Sequence, residues 1–245
     1  KTDGCDAMRR LIRDSHESAK RKKELMHRAF LLFRSLVEKN IVEFIRSPRP
    51  GMAHVRVNLD LQNDFAMNEP LSLYLLDTLP KLDRESPDFA LDVISLVESI
   101  VENPEPILRI QLRRARDARY AELKAEHAEY NKIQEELDKV EYPKPLREFI
   151  YSTFNEFSDE HPWVGNLNVE PKSIVREMLE SFDTFSGYVK KYGLLRMEAV
   201  LLRHINYVYK VLSQTVPDSF KTDEVREMED YLGEMIRRTD SSLLE

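Results

Sequence analysis

The segment VNLDLQNDFAMNEPLSLYLLDTLP, beginning at Val57, changes its hydrophobic period part-way along, and that change limits what the chain can build. Val55, Val57, Leu59 and Leu61 alternate with other residues, the pattern of a strand with one buried face. Beyond Phe65 the spacing becomes helical. Leu71, Leu75, Leu76 and Leu79 fall on one stripe, with Pro70 in the first turn, where a missing N–H costs no helix bond. A strand-bearing piece therefore ends here and a helical body begins. The polar pair Asn68 and Glu69 stands at the entrance of the first body helix.

Upstream, residues 5–14 predict a short amphipathic helix with Met8, Leu11 and Ile12 inward. Residues 17–39 predict a longer one, with Leu25, Ala29, Leu32, Phe33, Leu36 and Val37 on its apolar side and the basic run Lys20 to Lys23 in its first turns. Ile41 to Ile45 and Ala53 to Leu61 predict two strands, joined by a turn at Ser47-Pro48-Arg49-Pro50-Gly51. Two helices followed by a hairpin make the C-terminal part of a winged helix, so residues 1–62 read as a partial winged-helix piece and 63–245 as the helical body.

The body predicts seven helices, over about 70–80, 87–102, 105–140, 145–159, 171–190, 194–215 and 222–240. Their stops are chemical: Pro87, Pro104 with Pro106, Pro143 with Pro145, Pro162, Pro171, Gly193 and Pro217. The fold class is mainly α, a seven-helix bundle preceded by one β-hairpin. The helix expected over 105–140 is basic first (Arg109, Arg113, Arg114, Arg116, Arg119) and acidic later (Glu122, Glu126, Glu129, Glu135, Glu136), an order that opposes the helix dipole. Arg109, Arg113 and Arg116 share one face and could track phosphates; an exposed charged face, or a contact to an acidic neighbour, is the plainer reading. His161-Pro162-Trp163 reads as a packed corner between helices.

Charge is uneven. Residues 1–60 carry 14 Lys+Arg against 8 Asp+Glu, while the whole chain carries −7, so a basic piece precedes an acidic body. A polyanion contact or a solvated basic helix both fit. Six glycines in 245 residues are few for a catalytic α/β fold. No phosphate loop, Asp-Glu box, GxSxG elbow or paired-histidine zinc motif occurs, so this segment carries no catalytic or metal residues and needs no cofactor. The single Cys5 excludes an internal disulfide framework and fits a reducing compartment. No apolar run spans a bilayer and no signal peptide is visible, which gives a cytoplasmic expectation with no membrane partner. A first residue other than Met suggests a fragment of a longer protein.

A resemblance enters on particular runs: AMRRLIRDSHE, HRAFLLFRSLVEKNIVE, VNLDLQNDFAMNEPLS, ESPDFALDVISLVESIVENP, VEYPKPL, HPWVGNLNVEPKSIVREM, FSGYVKKYGLLRMEAVLLR, TVPDSFKTDEV and DSSLLE. In this order the chain resembles the C-terminal part of bacterial DEAD/DEAH-box RNA helicases of the superkiller-like branch of superfamily two. More narrowly, it resembles the uncharacterised C-terminal domain of their actinobacterial members. In that family two ATP-binding RecA domains precede a winged helix and a helical ratchet bundle lying under the nucleic-acid channel. The resemblance implies that Asn68 and Glu69 fall in a strand-contacting motif at the start of the first bundle helix. It also implies that Arg203, closing Glu198-Ala199-Val200-Leu201-Leu202-Arg203, takes the place of a base-contacting arginine; the match departs at Ala199 and Val200, where relatives often carry Gly-Ser. ATP and Mg would belong to the motor domains outside this segment.

The residues themselves put Leu195, Val200, Leu201, Ile205, Val208 and Leu212 on the apolar stripe of the Arg203 helix, with Arg196, Arg203 and Lys210 on another face. The leading expectation is a non-catalytic region of an ATP-dependent RNA (or DNA) helicase, a hydrolase whose motor acts on single-stranded nucleic acid guided by this segment. The alternative is a docking module of the helicase for a nuclease or ribosomal partner, without nucleic-acid contact; the parent's own RecA domains are expected partners of the segment. A freestanding enzyme is disfavoured because no catalytic set converges.

Overall fold

The computed structural model describes residues 4–38, 41–45, 54–57 and 70–244. The turn at 47–51, most of the strand expected over 53–61, and Asn68 with Glu69 lie outside the described residues. The chain is mainly helical, with eleven α-helices and one two-stranded antiparallel sheet among the described residues. It divides into two compact units. One comprises Lys1–Ala66 together with Asn155–Leu167, the other Met67–Phe154 with Asn168–Glu245.

In the first unit, α1 (Gly4–Asp14) and α2 (Ala19–Glu38) precede the hairpin strands β1 (Val42–Phe44) and β2 (Val55–Val57). Val42 pairs with Val57, Glu43 with Arg56 and Phe44 with Val55, and the Glu43–Arg56 pair adds an ion pair of 2.7 Å. Burial here is thinner than the sequence predicts. Ile12 is buried, but Met8 and Leu11 are 49% and 69% exposed, so α1 turns only part of its apolar side inward. The apolar side chains of α2 are half-buried or exposed, and its buried residue is Ser35. Ser35 lies under the corner after α7 (Arg147–Glu160): its Oγ accepts a 3.0 Å bond from Trp163 Nε1 and lies 3.2 Å from His161 Nδ1. Phe157 packs edge-on to the indole with ring centres 5.9 Å apart. His161-Pro162-Trp163 is thus the packed corner that its composition suggests.

The second unit is built around α4 (Phe89–Ile100), which is buried over most of its circumference. It is contacted by α3 (Ser72–Thr78), α8 (Ile174–Glu180), α10 (Glu198–Gln214) and α11 (Asp223–Thr239). Helix α3 is also buried nearly all round, and Tyr74 donates from its hydroxyl to Ile150 O at 3.0 Å, in α7. Gly233 lets α11 close on α10: a Cβ there would stand 3.1 Å from the Tyr209 ring.

Two of the seven expected body helices are each divided. The helix expected over 105–140 is α5 (Glu105–Ala125) and α6 (Tyr130–Asp138); the one expected over 171–190 is α8 and α9 (Phe185–Tyr192). Both breaks have the same cause. Ala128 N–H bonds Leu123 O at 3.0 Å across His127, whose φ is 55°, and Asp183 N–H bonds Met178 O at 2.9 Å across Phe182, whose φ is 51°. Each is a left-handed helix stop of the Schellman type, built without glycine. The stop of α9 has the same bond, Leu194 N–H to Val189 O at 2.8 Å, across a glycine, Gly193. The split of the 105–140 helix also removes the dipole conflict. Glu129 to Glu136 do not belong to α5, which opens on Glu105 and closes on Lys124, the favourable order at both ends.

A left-handed phenylalanine is costly, and the Phe182 side chain, 85% exposed, recovers little by packing. Phe182→Gly should therefore raise stability by about 0.5–1 kcal/mol. Urea unfolding checks this; a loss of stability would mean that the ring makes contacts which outweigh the backbone cost.

Candidate nucleic-acid interface

Arg203 is positioned by what lies beneath it. Its neighbour His204 is buried on α10, and His204 Nε2 lies 2.9 Å from Glu98 Oε1 of α4. The fully buried Glu98 carboxylate also accepts from the first backbone N–H groups of α8: Ile174 at 2.8 Å, Val175 at 3.0 Å and Arg176 at 3.4 Å. It is a helix N-cap supplied from another helix. The reciprocal cap runs the other way. Lys172, just before α8, is fully buried and donates from Nζ to Glu98 O (2.7 Å) and Val101 O (3.1 Å), covering carbonyls at the C-terminal end of α4, and to Glu170 O (3.0 Å) of its own loop. Burial pulls the Lys172 ammonium down to about 8, against the opposing fields of Glu98 and Glu170.

Above this node Arg203 is exposed. Its guanidinium stands 3.5 Å from Glu102, and both side chains are more than half exposed. Arg196 is also exposed, but it lies in the turn before α10, so it does not share a helix face with Arg203 and Lys210. Leu195, expected on the apolar stripe, lies in that same turn and is 76% exposed. The later stripe residues Leu201, Ile205, Val208 and Leu212 are buried, while Val200 is half-buried.

Arg109, Arg113 and Arg116 are brought together on the outer side of α5, all exposed, and none forms an ion pair with a described residue. The other arginines of that helix behave differently. Arg114 donates to Lys191 O at 3.1 Å and its guanidinium lies 4.2 Å over the Tyr192 ring. Arg119 bonds Glu122 at 3.0 Å and Glu136 at 3.3 Å.

Sequence reasoning missed the polar cluster behind Arg114. Glu177 accepts from Gln111 (3.1 Å), Tyr188 (3.3 Å) and Tyr192, with Lys191 at 3.6 Å. Burial, then the field of Glu177, raises the Tyr188 phenol far above its ordinary range. The sequence signal for such clusters is a charge inside an otherwise apolar run, as at Glu98 in LDVISLVESI. Among the described residues no group of three or more His, Cys, Asp or Glu is arranged to hold a metal ion, and no helix is long and apolar enough to cross a membrane.

Two measurements follow from this geometry. Lys172 titrates at about 8 folded and at its ordinary 10.5 unfolded, so the unfolded chain binds the extra proton between those values. Stability should therefore rise from pH 8 towards 10. Above pH 10 the slope should reverse, because Tyr74, raised to about 12 by burial, with Tyr142 and Tyr188 raised further, keep their protons only when folded. Lys172→Met should cost about 1–3 kcal/mol at neutral pH, by stranding buried carbonyls, and should abolish the rise. Urea titrations of both proteins at pH 7.5, 9 and 10.5 test this, and an identical pH profile would exclude Lys172 as its source. Arg203→Ala, by contrast, removes an exposed pair and should change stability by less than about 1 kcal/mol; a larger loss in the same assay would make Arg203 a structural residue.

No curated protein and no solved structure shows a significant match to the chain. A family model does match, over residues 1–245, and by that match the chain belongs to the DUF3516 family, described as a domain of unknown function.

Proposed function

We propose that this chain is a non-catalytic accessory region of an ATP-dependent nucleic-acid helicase, and that it guides single-stranded RNA, or DNA, past the motor domains of its parent. The resemblance to superkiller-like helicases supplies the parent; ATP and Mg would act there and not here. The observation that carries the strand contact is the contrast within α5. Arg114 and Arg119 are satisfied by the protein, whereas Arg109, Arg113 and Arg116, on one outward face, are left without a carboxylate among the described residues. Guanidinium groups so presented favour phosphates, whose binding releases condensed counterions. Arg203 and Arg196, both exposed, would contribute further contacts, as would Asn68 and Glu69, assigned by resemblance.

A second reading rests on a different observation. Met8, Leu11, Met26, Phe30, Phe44 and Val57 of the N-terminal unit are all exposed, which suits docking to a protein such as the RecA domains, a nuclease or a ribosomal partner.

The chain, at a net charge of −7, should bind single-stranded RNA weakly and in a salt-dependent way. Replacing Arg109, Arg113 and Arg116 together by Gln should weaken binding at least about tenfold at low salt. It should also flatten the slope of log affinity against log salt by about 2, since each lost phosphate contact removes ~0.7. Fluorescence anisotropy from low to moderate salt measures both. Binding that is absent, or equal in the triple variant, would favour the docking reading.

A further inference from the structure

The arginine face of α5 continues beyond Arg116. Tyr120 follows four residues later and Lys124 four after that, so Arg109, Arg113, Arg116, Tyr120 and Lys124 hold one stripe at helical spacing. All five are exposed, Tyr120 by 44%. The Tyr120 hydroxyl has no hydrogen-bond partner among the described residues, and its aromatic contact is the Lys124 ammonium, 5.7 Å from the ring centre, at the outer reach of a cation–π interaction. Glu105, four residues before Arg109, and Asp117, at the edge, are the acidic residues beside this face, so its four cations still outnumber them in a body that is otherwise acidic.

A lone exposed tyrosine needs no explanation. One set into a row of cations does, because the row repels any partner that is itself cationic and gains nothing from an apolar one. A nucleic-acid strand matches both parts of the pattern: its phosphates meet the cations and an unpaired base stacks on the ring. We infer that Tyr120 is a base-stacking platform on a single-strand track along α5, which at ~1.5 Å per residue runs about 22 Å from Arg109 to Lys124. The inference rests on the reading that this chain contacts a nucleic-acid strand, and it adds an element that charge alone does not supply. Phosphate contacts are indifferent to whether bases are present; a stacking platform is not.

The test uses the 245-residue chain and two fluorescent strands of equal length and charge: an oligoadenylate RNA and an abasic ribose-phosphate strand. The wild-type protein should prefer oligoadenylate. Tyr120→Ala should weaken oligoadenylate binding by about 5- to 100-fold, and leave abasic-strand binding, the salt slope and the melting temperature unchanged. Tyr120→Trp should retain or strengthen the preference for bases. If the wild type binds both strands equally with a steep salt dependence, the phosphate reading stands and the stacking platform is overturned. If it binds neither, both fail. Equal loss on the two strands in Tyr120→Ala, or displacement of oligoadenylate by polyglutamate as readily as by unlabelled RNA, would also overturn the platform, since the face would then be reading charge alone. An oligodeoxyadenylate arm separates RNA from DNA.

Discussion

The Glu98 carboxylate is the point on which the helical unit turns. It comes from the last turn of α4, sits beyond the reach of solvent, and satisfies the first amides of α8 while meeting His204 of α10. A carboxylate in such a place is tolerable only when several donors converge on it, and here backbone amides supply them without moving. Lys172 answers from the other side by covering the buried C-terminal end of α4. Two short helix ends that would each strand backbone groups inside the core therefore complete one another. The arrangement fixes the register of α4, α8 and α10 more sharply than apolar packing could, because leucines slide where hydrogen bonds do not.

That register determines what the surface presents. With His204 held inward on Glu98, the preceding residue of the helix, Arg203, must point elsewhere, and it emerges beside Glu102. On α5 the inward placement of Ile107, Leu108 and Gln111 turns Arg109, Arg113 and Arg116 outward. Arg114 and Arg119 fall between those faces and find partners on neighbouring elements, Tyr192 and Glu136. The distinction between a free and a satisfied arginine is thus set by helix rotation, not by residue type.

The N-terminal unit follows a different economy of contacts. Among its described residues before the corner, Ile12 and Ile41 are the buried apolar side chains, and the hydroxyl of Ser35 organises the buried polar contact with His161 and Trp163. The segment Asn155–Leu167 supplies Phe157, Trp163 and Val164 to this unit. Nothing in the local pattern of the first 62 residues announces a core partner so far along the chain.

Local chemistry by itself determined the mainly helical class, the hairpin, the stops at proline and at Gly193, and the shared face of Arg109, Arg113 and Arg116, because each depends on spacing or on a residue that cannot do otherwise. The stops at His127 and Phe182 were invisible for the matching reason: the same left-handed bond pattern that Gly193 advertises is carried there by a histidine and a phenylalanine, which do not announce it as glycine does. Arg196 and Leu195 were misassigned to a helix because that helix starts at Glu198, two and three residues later, with no side-chain cap to mark it. Glu98 in an apolar run and Lys172 in the loop before α8 look like surface charges in sequence. Tertiary structure alone decided that they are buried and shared, since a charge is stable in a core only where partners from distant segments arrive together.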